Sequence, residues 1–175
     1  MEQMFMTSND WLGLASRLTL ALLAGCVIGL NRQQGGRPAG MRAFMVVSMG
    51  AALFVMIPLQ VEGVSPVASI NALSRTIQGV TTGVGFLGAG LILQQSSQKS
   101  GEVKVRGLTT AASIWSAAGL GAAFGCGLWQ LGLLGTGLML LTLGGVKRIR
   151  KQIKLRALNS EPHILHDSER LFRRD

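Results

Sequence analysis

The sequence predicts an all-α polytopic membrane protein with about five transmembrane helices, the N-terminus outside and the C-terminus cytoplasmic. Charge is scarce and banded: 14% of the 175 residues are charged, and none falls in 18–31, 43–60, 76–98 or 107–146. Apolar runs of about 18 or more residues are long enough to cross a bilayer. The 24 glycines crowd into these runs, where helix contact in lipid calls for small side chains. Lys and Arg fall on alternate loops, as an odd number of crossings requires.

The spans are expected at roughly 14–30, 43–59, 77–93, 108–124 and 131–146. The uncharged block 107–146 is too long for one crossing. Trp129-Gln130, after Gly125-Cys126-Gly127, marks the turn between two. A start with Glu2 and Asp10 and no base before Arg17 lacks the basic region of a signal peptide, so the first span reads as an uncleaved anchor. One domain, 1–148, is expected to carry the spans. A basic cytoplasmic tail, 149–175, follows, with no soluble C-terminal domain.

Loop charge sets the orientation. Arg32, Arg37 and Arg42 flank the first turn, and Lys99, Lys104 and Arg106 outweigh Glu102 in the third loop. The second loop, from Gln60 to Arg75, holds Glu62 and Arg75 only. The tail opens "KRIRKQIKLR". Every Lys and Arg except Arg17 and Arg75 lands on the cytoplasmic side under the positive-inside rule. Such a juxtamembrane run attracts anionic lipids. The net charge of +9 does not point to nucleic acid, because a nucleic-acid interface spreads its bases over one folded face.

"TTGVGFLGAGLIL", from Thr81 to Leu93, concentrates glycine in an apolar run. At about 100° per residue, Gly79, Gly83 and Gly90 share one side of the third span, and Gly85 and Gly88 lie opposite. Two small stripes would let this helix touch two neighbours, as the centre of a bundle with the fourth span as its core partner. The fourth span carries Ala112, Ser116, Gly119 and Ala123 on one stripe, and Gly121 and Gly125 on another. In the first span Ala21, Gly25 and Gly29 recur every fourth residue. Tight packing accounts for these stripes. The alternative is a helix broken at Gly83-Val84-Gly85 or Gly88-Ala89-Gly90, with freed carbonyls lining a polar site.

Arg17 shares the Ala21/Gly25/Gly29 face. It either points inward as a functional residue or snorkels to the outer boundary. Arg75, at the outer mouth of the third span, has the same two readings. None of the five spans contains Asp or Glu, whereas Mg²⁺ and Ca²⁺ sites rest on oxygen ligands with carboxylates among them. Gln78, Thr81, Thr82, Thr109, Thr110, Ser113 and Ser116 are polar; they bond across helices or line a path for a hydrated solute. Cys26 and Cys126 read as packing residues, and His163 and His166 as solvated tail. No nucleophile–His–acid set, P-loop or metal-binding His pair is present, so neither enzyme nor cofactor is expected.

Ordered blocks then carry a resemblance. Gly29-Leu30-Asn31-Arg32-Gln33 and Ala39-Gly40-Met41-Arg42 bracket the first turn. Ser74-Arg75 precedes the Gly83–Gly90 block, and "VRGLTTAASIW" runs from Val105 to Trp115. Over roughly 14–146 the chain resembles the MgtC/SapB family of bacterial inner-membrane proteins. Asn31 stands where the family usually has glutamate, and Ala43 and Phe44 where it often has threonine and a polar residue. Longer members end in a soluble domain that is not expected here.

The resemblance implies a part in magnesium homeostasis and stress adaptation. It would be exercised by modulating other membrane machinery, the proton-driven ATP synthase included; Mg²⁺ transport has also been proposed for the family. The first expectation is therefore a non-enzymatic protein that works by helix contact with other membrane proteins or copies of itself. Arg32 and Arg42 would organise the first loop against Thr109 and Thr110. The second is a transporter or channel for Mg²⁺ or another small solute beside the third and fourth spans.

Overall fold

The structure, a computed structural model, describes residues 10–33, 39–60, 66–95, 97–99, 102–104 and 106–159. It has five helices: α1 (Trp11–Gln33), α2 (Met41–Gln60), α3 (Pro66–Gln95), α4 (Leu108–Gly125) and α5 (Trp129–Asn159). Between α3 and α4 lies an antiparallel hairpin, β1 (Ser97–Lys99) with β2 (Glu102–Lys104). The chain divides into one compact unit, Met1–Leu138, and a second, Met139–Asp175. The described part of the second is the remainder of α5.

Local chemistry sets the helix ends. Asp10 Oδ1 accepts from the Gly13 N–H at 2.9 Å, an N-cap for α1. Pro66 opens α3, where its fixed φ suits the first turn and its missing N–H costs nothing. Gly107 (φ 88) and Gly127 (φ 77) take the left-handed backbone at the start of α4 and in the α4–α5 turn. There Gly127 N–H donates to Phe124 O and Leu128 N–H to Ala123 O, which satisfies carbonyls that the end of α4 would otherwise strand.

α1, α2 and α3 are each long and apolar enough to cross a membrane, and α5 supplies a shorter apolar stretch, Trp129–Gly145. α4 has 18 residues, about 27 Å at about 1.5 Å per residue, against a hydrocarbon core of about 30 Å. It is rich in Ala, Gly, Ser and Thr, small side chains that suit close packing, and shares the centre of the bundle with α2. It packs on α1, α2 and α3 and faces protein more than lipid. Ala21, Ala24, Ala52 and Phe124 bury together, as do Val55, Leu59, Leu73 and Cys126.

Several expectations need correction. α3 is not the centre of the bundle: of its described side chains only Ser69, Leu73 and Gly88 are buried. Small residues permit a close approach without requiring one, so glycine content did not identify the central helix. α3 is also unbroken through both glycine triplets, as lipid-buried backbone prefers. It begins at Pro66, so the helix runs beyond the expected span on its N-terminal side and Arg75 lies within it, next to the uncharged run that starts at Thr76; Ser65-Pro66 was the overlooked start signal. The third loop folds as a hairpin, and the last helix runs on to Asn159, taking in the basic run from Lys147 to Arg156. Arg37, Glu62 and the tail beyond Asn159, with His163 and His166, lie outside the described residues.

Candidate functional site

Two polar junctions tie α1 to α4, one at each end. At the C-terminal end of α1, Arg32 Nη2 donates to Thr110 Oγ1 at 2.7 Å. Both side chains are buried, at 4% and 2% exposure. At the other end, Arg17 Nη1 donates to the carbonyl oxygen of Gly125 at 3.0 Å. Gly125 is the last residue of α4, so a permanent cation meets the negative end of a helix dipole. The junctions together fix α1 and α4 as antiparallel. Arg17 thus turns toward the bundle and braces the end of α4.

Between the junctions the helices touch at backbone distance. A Cβ on Gly29 would stand 2.7 Å from Met41 Cα, and one on Gly25 would stand 2.5 Å from Phe44 O and 2.9 Å from Met45 Cα. A Cβ on Gly121 would run into the Ser48 carbonyl, and one on Gly125 would meet Ala52 O at 2.7 Å. Ser48, fully buried, donates to Ala21 O at 2.7 Å. Ser48 therefore bonds α1 through its side chain and abuts α4 through its backbone. It carried no role in the sequence reading. The signal was there: Phe44, Ser48, Ala51 and Val55, all buried on α2, recur at helical spacing.

The other small residues fall differently. Gly88 sits against Ala111, with 3.3 Å left for a Cβ. Gly79, Gly83, Gly85, Gly90 and Gly119 have nothing within 4 Å of a Cβ, so they pack no helix of this chain among the described residues. Ala112 is exposed and Ser116 half-buried, with the Ser116 hydroxyl returned to Ala112 O. The face of α4 that packs is the other one, Thr110, Ile114, Ala117, Gly121 and Phe124.

Of the remaining candidates, Asn31 is half-buried, and Arg42, Arg75 and Thr109 are exposed. Arg32 and Thr110 are thus brought together, while the Arg42 and Thr109 side chains stay outside that junction. The Thr109 carbonyl accepts from Ser113 Oγ at 2.6 Å. Cys26 Sγ lies 3.7 Å from Met41 Sδ; Cys26 and Cys126 are free thiols. Among the described residues no three His, Cys, Asp or Glu side chains come together to hold a metal.

Two apolar grooves flank α3. One, of about 250 Å³, lies between α3 and the α4–α5 pair at Ile77, Trp115, Gly119 and Leu131. The other, of about 690 Å³, lies between α2 and α3, with Gly50, Phe54, Gly79 and Gly83 on its walls. Trp11 and Trp129, both exposed, open α1 and α5 at the Arg17 end, where an aromatic belt would sit at a membrane interface.

Comparison with known proteins places this architecture. A family model described as the MgtC family matches residues 18–152, which spans all five helices. Protein SrpB of Synechococcus elongatus is 63% identical over 158 residues, covering 89% of this chain and 87% of that protein. YhiD of Escherichia coli K12, named as a candidate magnesium transporter, is 37% identical over 152 residues. Protein MgtC of Salmonella typhimurium is 36% identical over 119. The chain spans 65% of YhiD and 46% of MgtC. No solved structure matches it. With the family match running through every helix and both α1–α4 junctions inside or at the edge of it, this membrane protein belongs to the MgtC family.

Proposed function

We propose that the chain is a non-enzymatic, multi-pass protein of the bacterial inner membrane. It supports magnesium homeostasis or stress adaptation by modulating other membrane proteins, with its N-terminus outside and its C-terminus cytoplasmic. The observation that carries this reading is how the α1–α2–α4 interior is used. Arg32, Ser48 and Thr110 engage there in bonds between helices, Ser113 bonds back within α4, and Gly25, Gly29, Gly121 and Gly125 abut backbone. Apolar grooves open on either side of α3, where another protein could reach them. The names of YhiD and MgtC motivate the magnesium link.

A second reading, a transporter or channel for Mg²⁺ or another small solute, draws support from the name of YhiD and from polar side chains exposed along α3. Reconstitution separates the two. Proteoliposomes holding a Mg²⁺-sensitive dye should show no flux above empty vesicles, while the tagged chain co-purifies with partner membrane proteins. Flux that disappears with Thr110→Val would replace the modulator with the transporter.

A further inference from the structure

α3 leaves a polar line exposed on the side away from the bundle. Its buried side is Ser69, Leu73 and Gly88, with Val80 and Val84 half-buried on the same line. A helix at the edge of a membrane bundle should present its most apolar side to the acyl chains. Nearly opposite Leu73, the exposed residues within the uncharged run are instead Gln78 and Thr82, and Asn71 and Arg75 continue the same line beyond it; at about 100° per residue the four fall within about 60° of one another. They continue into Gly85 and Ala89, also exposed. The steps of four, three, four, three and four follow the seam of a two-helix contact. Polar side chains in a span ordinarily face protein or water.

We propose that this face of α3 is the contact between two copies of the chain, paired as parallel α3 helices about a two-fold axis normal to the membrane. Two copies inserted the same way round can meet only in parallel, so each seam residue faces itself or the neighbour three or four places away. The composition fits that arrangement. Asn71 and Gln78 each carry a donor and an acceptor, as does the Thr82 hydroxyl, so each is complementary to its own copy. Arg75 only donates, and the copies of Asn71 and Gln78 offer it carbonyl oxygens on either side. Gly85 and Ala89, four apart, permit backbone approach in the following turns.

The like charges of two Arg75 residues fall where water can screen them. The 30 residues of α3 extend about 45 Å, some 15 Å beyond the hydrocarbon thickness. The uncharged run begins immediately after Arg75. The contact is a property of this face and holds whether the protein modulates partners or moves a solute.

Disulfide cross-linking in native membranes tests it. In a full-length Cys26→Ala, Cys126→Ala background, Gln78→Cys, Thr82→Cys and Ala89→Cys should each yield a band of doubled mass on mild oxidation. Gly83→Cys and Leu87→Cys, also exposed but on the groove facing α2, should yield none above background. No dimer at the seam positions, equal dimer at all five, or adducts to a different protein would each overturn the proposal. Because all five positions are exposed, the α1–α2–α4 core stays intact. As a second measurement, native mass spectrometry of membrane vesicles should release dimers of the unaltered chain and monomers of the Gln78→Leu, Thr82→Leu variant. Dimers from both would also overturn it.

Discussion

Arg32 on α1 donates a 2.7 Å hydrogen bond to Thr110 on α4, and the pair is separated by 78 residues in sequence. It lies at the end of α1 opposite the Arg17–Gly125 contact. Hydrogen bonds to charged groups contribute about 1.5–3 kcal/mol in water-soluble proteins, and bonds between membrane helices average about 0.6 kcal/mol.

Thr110→Val should therefore cost on the order of 1 kcal/mol, and Arg32→Met more, since it also removes buried guanidinium contacts. A double-mutant cycle in detergent, read by equilibrium unfolding, should show a favourable coupling between the positions. Strict additivity would mean that the bond contributes nothing.

Glycine substitutions should separate by helix. Gly121→Ala places a methyl into the Ser48 backbone, and overpacking a close contact costs about 1–3 kcal/mol or more. Gly79→Ala meets open space and should be neutral, or gain up to about 1 kcal/mol from helix propensity. Thermal unfolding in detergent checks both; equal sensitivity would contradict the packing described for α2 and α4.

Ser48→Ala removes the bond to Ala21 O while barely changing volume. The expected loss is about 0.6 kcal/mol, the average for an interhelical bond in a membrane. Hydrogen exchange near Ala21 and Ser48 should rise more than in α3. Unchanged exchange at both sites would show that backbone contact alone holds α1 to α2.

Arg17→Met should weaken the end of α4 by about 0.3–1 kcal/mol through loss of the cation at its C-terminus, and Arg17→Lys should retain part of it. The readout is trypsin cleavage at a site inserted after Leu128. Identical cleavage of all three proteins would argue that the Arg17 contact is dispensable.

Orientation has its own check. In the Cys26→Ala, Cys126→Ala background, a membrane-impermeant maleimide added to intact cells should label Leu128→Cys and spare Gly40→Cys. The reverse pattern would invert the proposed topology.

What the sequence determined by itself is what lipid imposes residue by residue. Uncharged runs located all five helices, because charge and unpaired backbone are costly in hydrocarbon. Ordered motifs carried the family. The expectation that Arg32 and Arg42 meet Thr109 and Thr110 held only for Arg32 with Thr110; Arg42 and Thr109 are exposed, because a helix turns one of two adjacent residues away from its neighbour. What only the tertiary structure decided is which small faces meet. Gly25, Gly29, Gly121 and Gly125 close on α2, while Gly79, Gly83, Gly85 and Gly90 meet nothing among the described residues, although both sets look alike in sequence. Contact in lipid depends on the partner's matching surface as well as on a helix's own smallness. The ridge of Met41, Phe44, Ser48 and Ala52 on α2 supplies that match for α1 and α4; among the described residues nothing supplies it for the outer face of α3.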